Sequence, residues 1–239
     1  MPAPSQWPGA EKREPPLSSP TYAVRAPLAA WLRAEARRAA DDFGRYRVLD
    51  VGCGPKPYYP FFEPYAGEYV GVDVAGEGAD LVGSIESLPV PDGSFEVVLC
   101  TQVLEHTPDP ARAVAELARV AVPGGRVLAS THGVQVYHPN PHDLWRWTHE
   151  GLERLFRDNG DWGSVTIRPG SGTASCVGMV LSIYLDLLCR KAGAGLVGRA
   201  LVSAVNRAAE AIDRRSRRLR EPGPGTLFAN FHVVAEKPA

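Results

Sequence analysis

Apolar residues recur along the chain in short continuous runs, separated by stretches in which they recur at helical spacing. The short runs are typical of strands buried on both faces, and the second pattern is typical of amphipathic helices. Strands are predicted at Tyr46–Val51, Glu68–Asp73, Ala79–Val82, Ser94–Cys100, Arg126–Thr131, Ser164–Arg168 and Leu227–Glu236. Helices are predicted at Ala26–Ala40, Pro110–Ala121 and Thr148–Asn159. This alternation predicts an α/β fold with a doubly wound sheet.

The first strand breaks abruptly at Gly52-Cys53-Gly54. Glycine permits a tight turn and has no Cβ, so the backbone here can lie directly against a ligand. The next strand ends on Asp73, where a carboxylate is placed to accept hydrogen bonds from the hydroxyls of a ribose. The stretch after Gly54 lacks the third glycine that would open a helix onto a pyrophosphate. The pattern therefore indicates a cofactor that contains a nucleoside but is not a dinucleotide.

Composition narrows the class of protein. With 239 residues, 44% of them hydrophobic, and a net charge of −1, the chain can form one globular domain, and nucleic acid is not an expected partner. A small-molecule substrate is the expected partner. Residues 1–25 are predicted to form a flexible N-terminal arm because proline, serine and charge are frequent there, which leaves residues 26–239 as the domain. The four cysteines are widely spaced and no signal peptide is recognised, so we expect reduced thiols and a cytoplasmic location.

Five sequence blocks occur in a characteristic order, and together they identify a family. The blocks are Val48–Gly54, Gly71–Asp73, Leu88–Leu99, Val103–Pro110 and Leu117–Leu128. In this order and at these intervals they resemble the class I S-adenosylmethionine-dependent methyltransferases, and among these the type 11 methyltransferase group. The resemblance covers about Val48 to Leu155 and the final strand. It implies a Rossmann-like, doubly wound, seven-stranded sheet and S-adenosyl-L-methionine as the cofactor.

The resemblance also implies roles for individual residues. Gly52, Cys53 and Gly54 would contact the methionine part of the cofactor, and Asp50 would orient its ammonium group through the loop. Asp73 would accept from the ribose hydroxyls. The other expected contacts are Val74, Ser84 and Ile85 for adenine, and Cys100, Thr101 and Gln102 for the wall under the sulfonium. Ser84 stands near the position where the family commonly has an acid, so its contact with the adenine amino group is expected to be weaker.

The segment from His132 to Trp147 is unusually rich in histidines and aromatic residues for a connection between elements, and three interpretations compete. We favour a substrate pocket, because loops at this edge of a sheet carry function. In that interpretation His132 is the general base and His138 a second catalytic candidate, and the substrate is bound by Tyr137, His142, Asp143, Trp145 and Arg146. Alternatively the loop is structural, with Trp145 and Trp147 as core anchors and Asp143 paired to Arg146 or capping the next helix. A metal site of His138, His142 and Asp143 is disfavoured because prolines interrupt the segment, so no metal is predicted.

Glu105-His106 follows the fourth strand. It resembles an acid and histidine pair that lies near the acceptor in the ubiquinone-type O-methyltransferases, which makes His106 a further catalytic candidate. Hydrogen bonds that merely fix the loop under the cofactor explain the pair equally well.

Residues 170–225 are predicted to form a helical insertion between strands six and seven, where the family fold needs only a hairpin. Two helices are predicted, at Ala174–Leu188 and Leu196–Ile212. The first is almost wholly apolar, but it is too short, and too interrupted by Asp186, to be assigned as a membrane span. Packing on the sheet or at a homodimer interface is the favoured interpretation, a lid over an apolar acceptor is the second, and membrane contact through the arginine-rich end is the third.

The sequence thus predicts an S-adenosylmethionine-dependent methyltransferase acting on a small organic acceptor. Oxygen is the favoured acceptor atom, and bacterial secondary-metabolite or sugar metabolism is the expected setting. Transfer to nitrogen or carbon of a lipid-like acceptor, and a non-catalytic S-adenosylmethionine-binding protein, are the alternatives. A nicotinamide oxidoreductase is disfavoured by the missing third glycine.

Overall fold

The computed structural model describes residues 7–76, 78–139 and 141–239. Within them, seven strands form one sheet in the order β3-β2-β1-β4-β5-β7-β6. The strands are β1 Tyr46–Val51, β2 Ala66–Asp73, β3 Leu81–Val82, β4 Phe95–Thr101, β5 Ala121–His132, β6 Ser164–Pro169 and β7 Asn230–Glu236. The α-helices are α1 Ala10–Arg13, α2 Tyr22–Phe43, α3 Tyr59–Phe62, α4 Pro110–Val120, α5 His149–Asp158, α6 Thr173–Lys191 and α7 Gly195–Arg215. Short 3-10 turns cover Leu104–His106 and Arg217–Leu219.

The central strands are parallel and buried on both faces. β1 pairs in parallel with β2 and β4, and β4 pairs in parallel with β5. Val48 and Leu49 of β1 are fully buried on opposite faces of the sheet, in two separate hydrophobic clusters. β7 then runs antiparallel to both β5 and β6. The prediction of a Rossmann-like seven-stranded sheet is confirmed.

Most elements lie where the sequence predicts them, but several bounds differ: α2 extends beyond the predicted Ala26–Ala40, and some strands are longer or shorter than predicted. β5 begins at Ala121 and not at Arg126, because Pro123-Gly124-Gly125 belongs to an irregular part of the strand where its register with β4 shifts. The amide of Gly124 donates to the carbonyl of Pro238, and Gly125 accepts from the amide of Lys237. The segment predicted as a turn is therefore the bulged beginning of strand β5.

The prediction of a flexible arm is corrected for residues 7–25; residues 1–6 lie outside the described part. The Arg13 guanidinium is buried and donates to the carbonyls of Trp7, Pro8 and Pro57 at 2.6–2.8 Å. The Trp7 ring stacks on Tyr59 with 4.5 Å between ring centroids. These contacts hold the segment against the loop that follows β1. The three hydrogen bonds of the arginine offset the conformational entropy that is lost when this polar stretch becomes ordered.

The helices α6 and α7 form a hairpin between β6 and β7 in chain order, as predicted for residues 170–225. The hairpin packs on α2, where Val24 meets Cys176 and Met179 of α6 in a small hydrophobic cluster. Asn206 of α7 donates to carbonyls of the N-terminal segment.

Candidate active site

A cavity of about 980 Å³ opens at the carboxyl ends of β1, β2, β4 and β5. This edge is where open α/β sheets bind ligands, because the strand order reverses there and the loops diverge. Nine predicted cofactor residues line the cavity. On the β1 and β2 side they are Gly52, Cys53, Gly54, Asp73 and Val74, and further round they are Ser84, Ile85, Thr101 and Gln102.

The glycine loop is held close to β2 by the backbone. Both Gly52 and Cys53 donate their amides to the carbonyl of Val72, at 2.8 and 3.2 Å. Gly52 has φ 66°, and a Cβ at this position would lie 2.4 Å from Cγ2 of Val103. Two factors therefore exclude any residue other than glycine at this position: the positive φ and the close approach of Val103.

Asp73 lies at the tip of β2 beside this loop. One carboxylate oxygen accepts from the amide of Gly54 at 2.9 Å, and the other accepts from the amide of Ala75 at 3.0 Å. Each oxygen retains a lone pair for a further donor, so the carboxylate is positioned by the backbone and can still accept from a ribose.

Asp50 does not line the cavity and lies behind the loop in the sheet. It accepts from the Tyr69 hydroxyl at 2.7 Å, and burial raises the pKa of this carboxyl to about 7. Cys100 is also buried and away from the cavity wall, which corrects its expected place under the sulfonium.

Gln102 leaves β4 in a strained conformation. Its φ is 58°, which is uncommon for a residue with a side chain. The side-chain amide donates to the Ser130 hydroxyl at 2.9 Å, and the backbone amide donates to the Ser130 carbonyl at 2.8 Å. Such strain persists where surrounding contacts fix it, and it turns Gln102 onto the cavity wall.

Three histidines from separate parts of the chain meet in the same cavity. Ring centroids are 6.2 Å apart between His132 and His138, and 5.7 Å apart between His106 and His138. Nδ1 of His106 contacts the carbonyl of His142, which also lines the cavity. The structure thus brings together all three candidate catalytic residues and one of the candidate substrate residues.

Glu105 is the buried partner of His132. Its side chain is 0% exposed, and one oxygen lies 3.4 Å from Nδ1 of His132 while the other accepts from the Thr131 hydroxyl at 2.8 Å. Burial raises the pKa of Glu105 to about 7 and lowers the pKa of His132 to about 3. His132 is therefore a neutral imidazole at neutral pH; its Nδ1 faces the Glu105 oxygen, although within the described residues neither atom makes a hydrogen bond.

The remaining loop residues hold the loop in shape and do not line the cavity. The Arg146 guanidinium contacts the Asp143 carboxylate at 2.5 and 2.9 Å and donates to the carbonyl of Val136 at 3.0 Å. Nε1 of Trp145 donates to the carbonyl of Thr107, and Tyr137 is 79% exposed. Tyr137, Asp143, Trp145 and Arg146, which were expected to bind the substrate, thus lie outside the wall of this cavity.

The guanidinium beside Asp143 holds the pKa of that carboxyl down, at about 2. A carboxylate paired with a cation in this way is unsuited to bind a metal ion together with His138 and His142. Within the described ranges, no group of three or more His, Cys, Asp or Glu side chains is placed to hold a metal.

Sequence reasoning missed several residues of the cavity. Lys12, Arg25 and Tyr58 line it because the N-terminal segment and α2 close over the glycine loop. Burial and the nearby Arg25 lower the pKa of Lys12. Glu105 was singled out only as part of the pair with His106, and its contact with His132 was not predicted.

The comparisons define the class of protein to which this fold and site belong. Residues 49–129 match the family model described as a methyltransferase domain. Over residues 49–129 the chain is therefore similar to the methyltransferase domains of the type 11 group.

Relatives share this region. An uncharacterized methyltransferase, YcgJ of Bacillus subtilis (strain 168), is 33% identical over 111 residues, which is 40% of this chain and 44% of that protein. The ubiquinone biosynthesis O-methyltransferase of Bordetella bronchiseptica is 30% identical over 128 residues, which is 47% of this chain and 52% of that protein. The chain thus spans about half the length of the curated relatives it matches.

Solved structures share the fold over most of the chain. The crystal structure of YcgJ has a TM-score of 0.51 and 20% sequence identity, and the match covers 88% of this chain and 99% of that one. The [4+2]-cyclase SpnF has a TM-score of 0.54 and 20% identity, with 87% and 81% covered. At these identities the likeness concerns the fold alone.

Proposed function

We propose that the protein transfers the methyl group of S-adenosyl-L-methionine to a small organic acceptor, with oxygen as the favoured acceptor atom and His132 as the general base. The observation that carries this proposal is one continuous cavity, which joins the glycine loop and Asp73 to the three histidines. A cofactor on the loop and an acceptor beside the histidines would then share a single cavity.

The residues present fit this cofactor. At Gly54 the backbone has φ 48° and an added Cβ would meet no atom within 4 Å, so the loop faces open space where a ligand can lie against peptide. Gly52 to Gly54 would hold the methionine part and Asp73 the ribose. Val74, Ser84 and Ile85 would hold adenine, and Thr101 and Gln102 would line the space under the sulfonium.

The bound cofactor supplies an electrophilic methyl group on a good leaving group, so the chain itself must place the acceptor and remove a proton from it. Alignment of the two reactants supplies much of the rate in such a transfer. His132 is neutral at neutral pH because burial lowers its pKa to about 3. With Nδ1 directed to Glu105 at 3.4 Å, its Nε2 is the nitrogen that would accept the proton of a hydroxyl.

The test separates cofactor binding from catalysis. Calorimetry with S-adenosylhomocysteine should show binding to the wild type, no signal with NADH, and binding weakened by about tenfold or more in Asp73→Ala, because charge-assisted hydrogen bonds are lost. Methyl transfer to a panel of hydroxylated acceptors should fall by about 10²-fold or more in His132→Ala. His149→Ala is the matched control, because His149 lies on α5 outside the cavity wall.

Two alternatives give different results. A non-catalytic S-adenosylmethionine-binding protein would bind S-adenosylhomocysteine and transfer no methyl group to any acceptor. An N- or C-methyltransferase of lipid-like acceptors would be active on amines or carbon nucleophiles and less dependent on His132. The similarity to ubiquinone biosynthesis O-methyltransferases favours oxygen. We place the activity in the cytoplasm and in secondary-metabolite or sugar metabolism as part of the same proposal.

A further inference from the structure

The α6–α7 hairpin exposes an apolar surface that nothing in the described part of the chain covers. On α6 it consists of Val177, Leu181, Tyr184 and Leu188, and on α7 of Val197, Leu201 and Ile212 together with Ala204 and Ala208. The seven large side chains are 42 to 62% exposed. Each set follows the spacing of a single helical stripe. We call these nine residues the outer face.

Both stripes lie on the same side of the hairpin. The helices are antiparallel, since Gly178 packs against Ala209 while Cys189, near the other end of α6, packs against Gly198. On each helix, the apolar stripe lies about a quarter turn around the helix axis from the residues that contact the other helix. Because the helices are antiparallel, these two rotations bring both stripes to the same side of the hairpin. The opposite side of the hairpin is the one that packs on α2 and on the N-terminal segment. The outer face is thus a continuous apolar surface directed away from the domain.

The hairpin also concentrates positive charge. Residues 173–220 contain nine basic side chains, Arg190, Lys191, Arg199, Arg207, Arg214, Arg215, Arg217, Arg218 and Arg220. Through residue 225, where the insertion ends, the acids are Asp186, Glu210, Asp213 and Glu221, so the net charge of residues 170–225 is +5 within a chain whose total is −1. The outer face itself contains no charged residue. Lys191 ends α6 and Arg215 ends α7, so a positive charge flanks each end of the hairpin, whereas Arg190 and Arg199 lie beside the N-terminal segment.

The apolar outer face and the positive charge of the insertion together indicate which kind of partner would bind to this surface. A second copy would bring two insertions of net charge +5 together, and like charges at an interface are unfavourable. An anionic lipid surface satisfies both properties, because the apolar stripe enters the acyl boundary while arginines meet the headgroups. α6 is long and apolar enough to span a membrane by length and composition, but its other faces pack on α7 and α2. The hairpin would lie in the interface and not cross it.

We propose that the outer face docks the protein on an anionic lipid surface, with the α6–α7 hairpin lying parallel to the membrane plane. This docking is independent of methyl transfer. Docking would place the cavity close to the lipid. Val24 of α2 both packs against α6 and lines the cavity, so the hairpin that meets the lipid is next to the cavity wall.

The experiment is co-sedimentation of the whole chain with vesicles. Phosphatidylcholine vesicles containing phosphatidylglycerol should retain the protein at low salt, pure phosphatidylcholine vesicles should retain much less, and binding should weaken as salt rises because the Debye length falls to about 8 Å at 0.15 M. Leu181→Glu and Leu201→Glu should each weaken binding by about tenfold or more, since each places a carboxylate in the apolar face. Val82→Glu is the matched control, since Val82 is an exposed apolar residue of β3 at the far edge of the sheet.

Thermal melting of each variant confirms that it is folded, and light scattering reports its mass. Failure of the wild type to bind anionic vesicles at low salt, or equal binding to neutral vesicles, would overturn the proposal. So would equal weakening by Val82→Glu. A soluble dimer that Leu181→Glu and Leu201→Glu dissociate would show that the outer face joins two copies instead.

Discussion

The pair of Glu105 and His132 shows at the scale of single residues how the site prepares a base. A fully buried acid is costly unless it is neutral or hydrogen-bonded, and Glu105 is fixed by the Thr131 hydroxyl at 2.8 Å. Its other oxygen can hold one tautomer of His132 and stabilise the imidazolium that forms when a proton is taken up. In the proposed mechanism Glu105 is therefore a positioning residue and not a catalytic one.

Glu105→Gln should lower kcat by about tenfold or more, because an amide has no negative charge with which to stabilise the imidazolium. KM and S-adenosylhomocysteine binding should stay within a factor of about two if the loss is confined to the transition state. Steady-state kinetics and calorimetry check this. A rise in KM with unchanged kcat would assign Glu105 a purely structural role.

The same variant should change the pH dependence of stability. A carboxyl whose pKa is raised from 4.5 to about 7 stabilises the fold fully below pH 4.5, and this contribution is lost as the pH rises through about 7. Glutamine cannot ionise, so between these limits the variant should gain up to about 3 kcal/mol relative to the wild type. Urea unfolding at a series of pH values measures the difference. A constant difference across this range would contradict the raised pKa of Glu105.

The placement of residues in the cavity was predictable where chain order alone fixes position. Gly52, Gly54 and Asp73 follow strands, and the cavity forms at the strand ends. Lys12 and Arg25 could not be predicted in the same way, because their place in the cavity depends on how a polar segment docks through tertiary contacts.

At the scale of elements, Asp213 joins the two helices of the hairpin. It lies near the end of α7, is 4% exposed, and accepts from the amides of Ala174 and Ser175 at 3.0 and 2.9 Å. A carboxylate at this point satisfies donors at the α6 N-terminus and meets the positive end of its dipole.

Asp213→Ala should destabilise the protein by about 2–4 kcal/mol, since two charge-assisted hydrogen bonds are lost and buried amides remain. Asp213→Asn should cost about half as much, because the amide oxygen can still accept. Asp186→Ala is the control, since it pairs within one helix turn with Arg190, whose side chain is 69% exposed, and such an i,i+4 pair is worth about 1 kcal/mol or less. Chemical denaturation measures all three. Equal costs for Asp213→Ala and Asp186→Ala would show that the cap contributes nothing.

Element types were predictable from periodicity, whereas some bounds were not. The helices of the hairpin extend to Thr173–Lys191 and Gly195–Arg215, a few residues beyond the predicted spans. The start of β5 was misplaced because Pro123-Gly124-Gly125 has the composition of a turn, and only pairing with the chain's final residues keeps it in the sheet.

At the scale of the whole molecule, the N-terminal segment is part of the site. Arg13 holds residues 7–13 against the loop after β1, and Lys12 from the same turn lines the cavity. The sequence assigned this stretch to an arm because its composition is polar, and composition does not reveal a single buried arginine with three carbonyl partners.

Arg13→Ala should lower the free energy of unfolding by about 2 kcal/mol or more, because three carbonyls lose a charged donor. S-adenosylhomocysteine should bind several-fold more weakly, since one wall of the cavity is released. Arg37→Ala, at an exposed position of α2, should change neither quantity. Denaturation and calorimetry on the same preparations test both effects. Wild-type affinity in a destabilised Arg13→Ala would show that the segment stabilises the fold without shaping the site.

The pairing of β5 with β7 bears on how the site is assembled during synthesis. His132 lies opposite Asn230 in the register, and the amide of Gly133 donates to the carbonyl of Ala229. The cofactor half of the cavity uses residues from the first part of the chain, whereas the base reaches its place only when the last strand is available. A ribosome-bound chain could therefore assemble the glycine loop and Asp73 well before it could position His132, so that recognition of the cofactor would precede catalytic competence by more than a hundred residues of translation, the interval from Gln102 to Asn230.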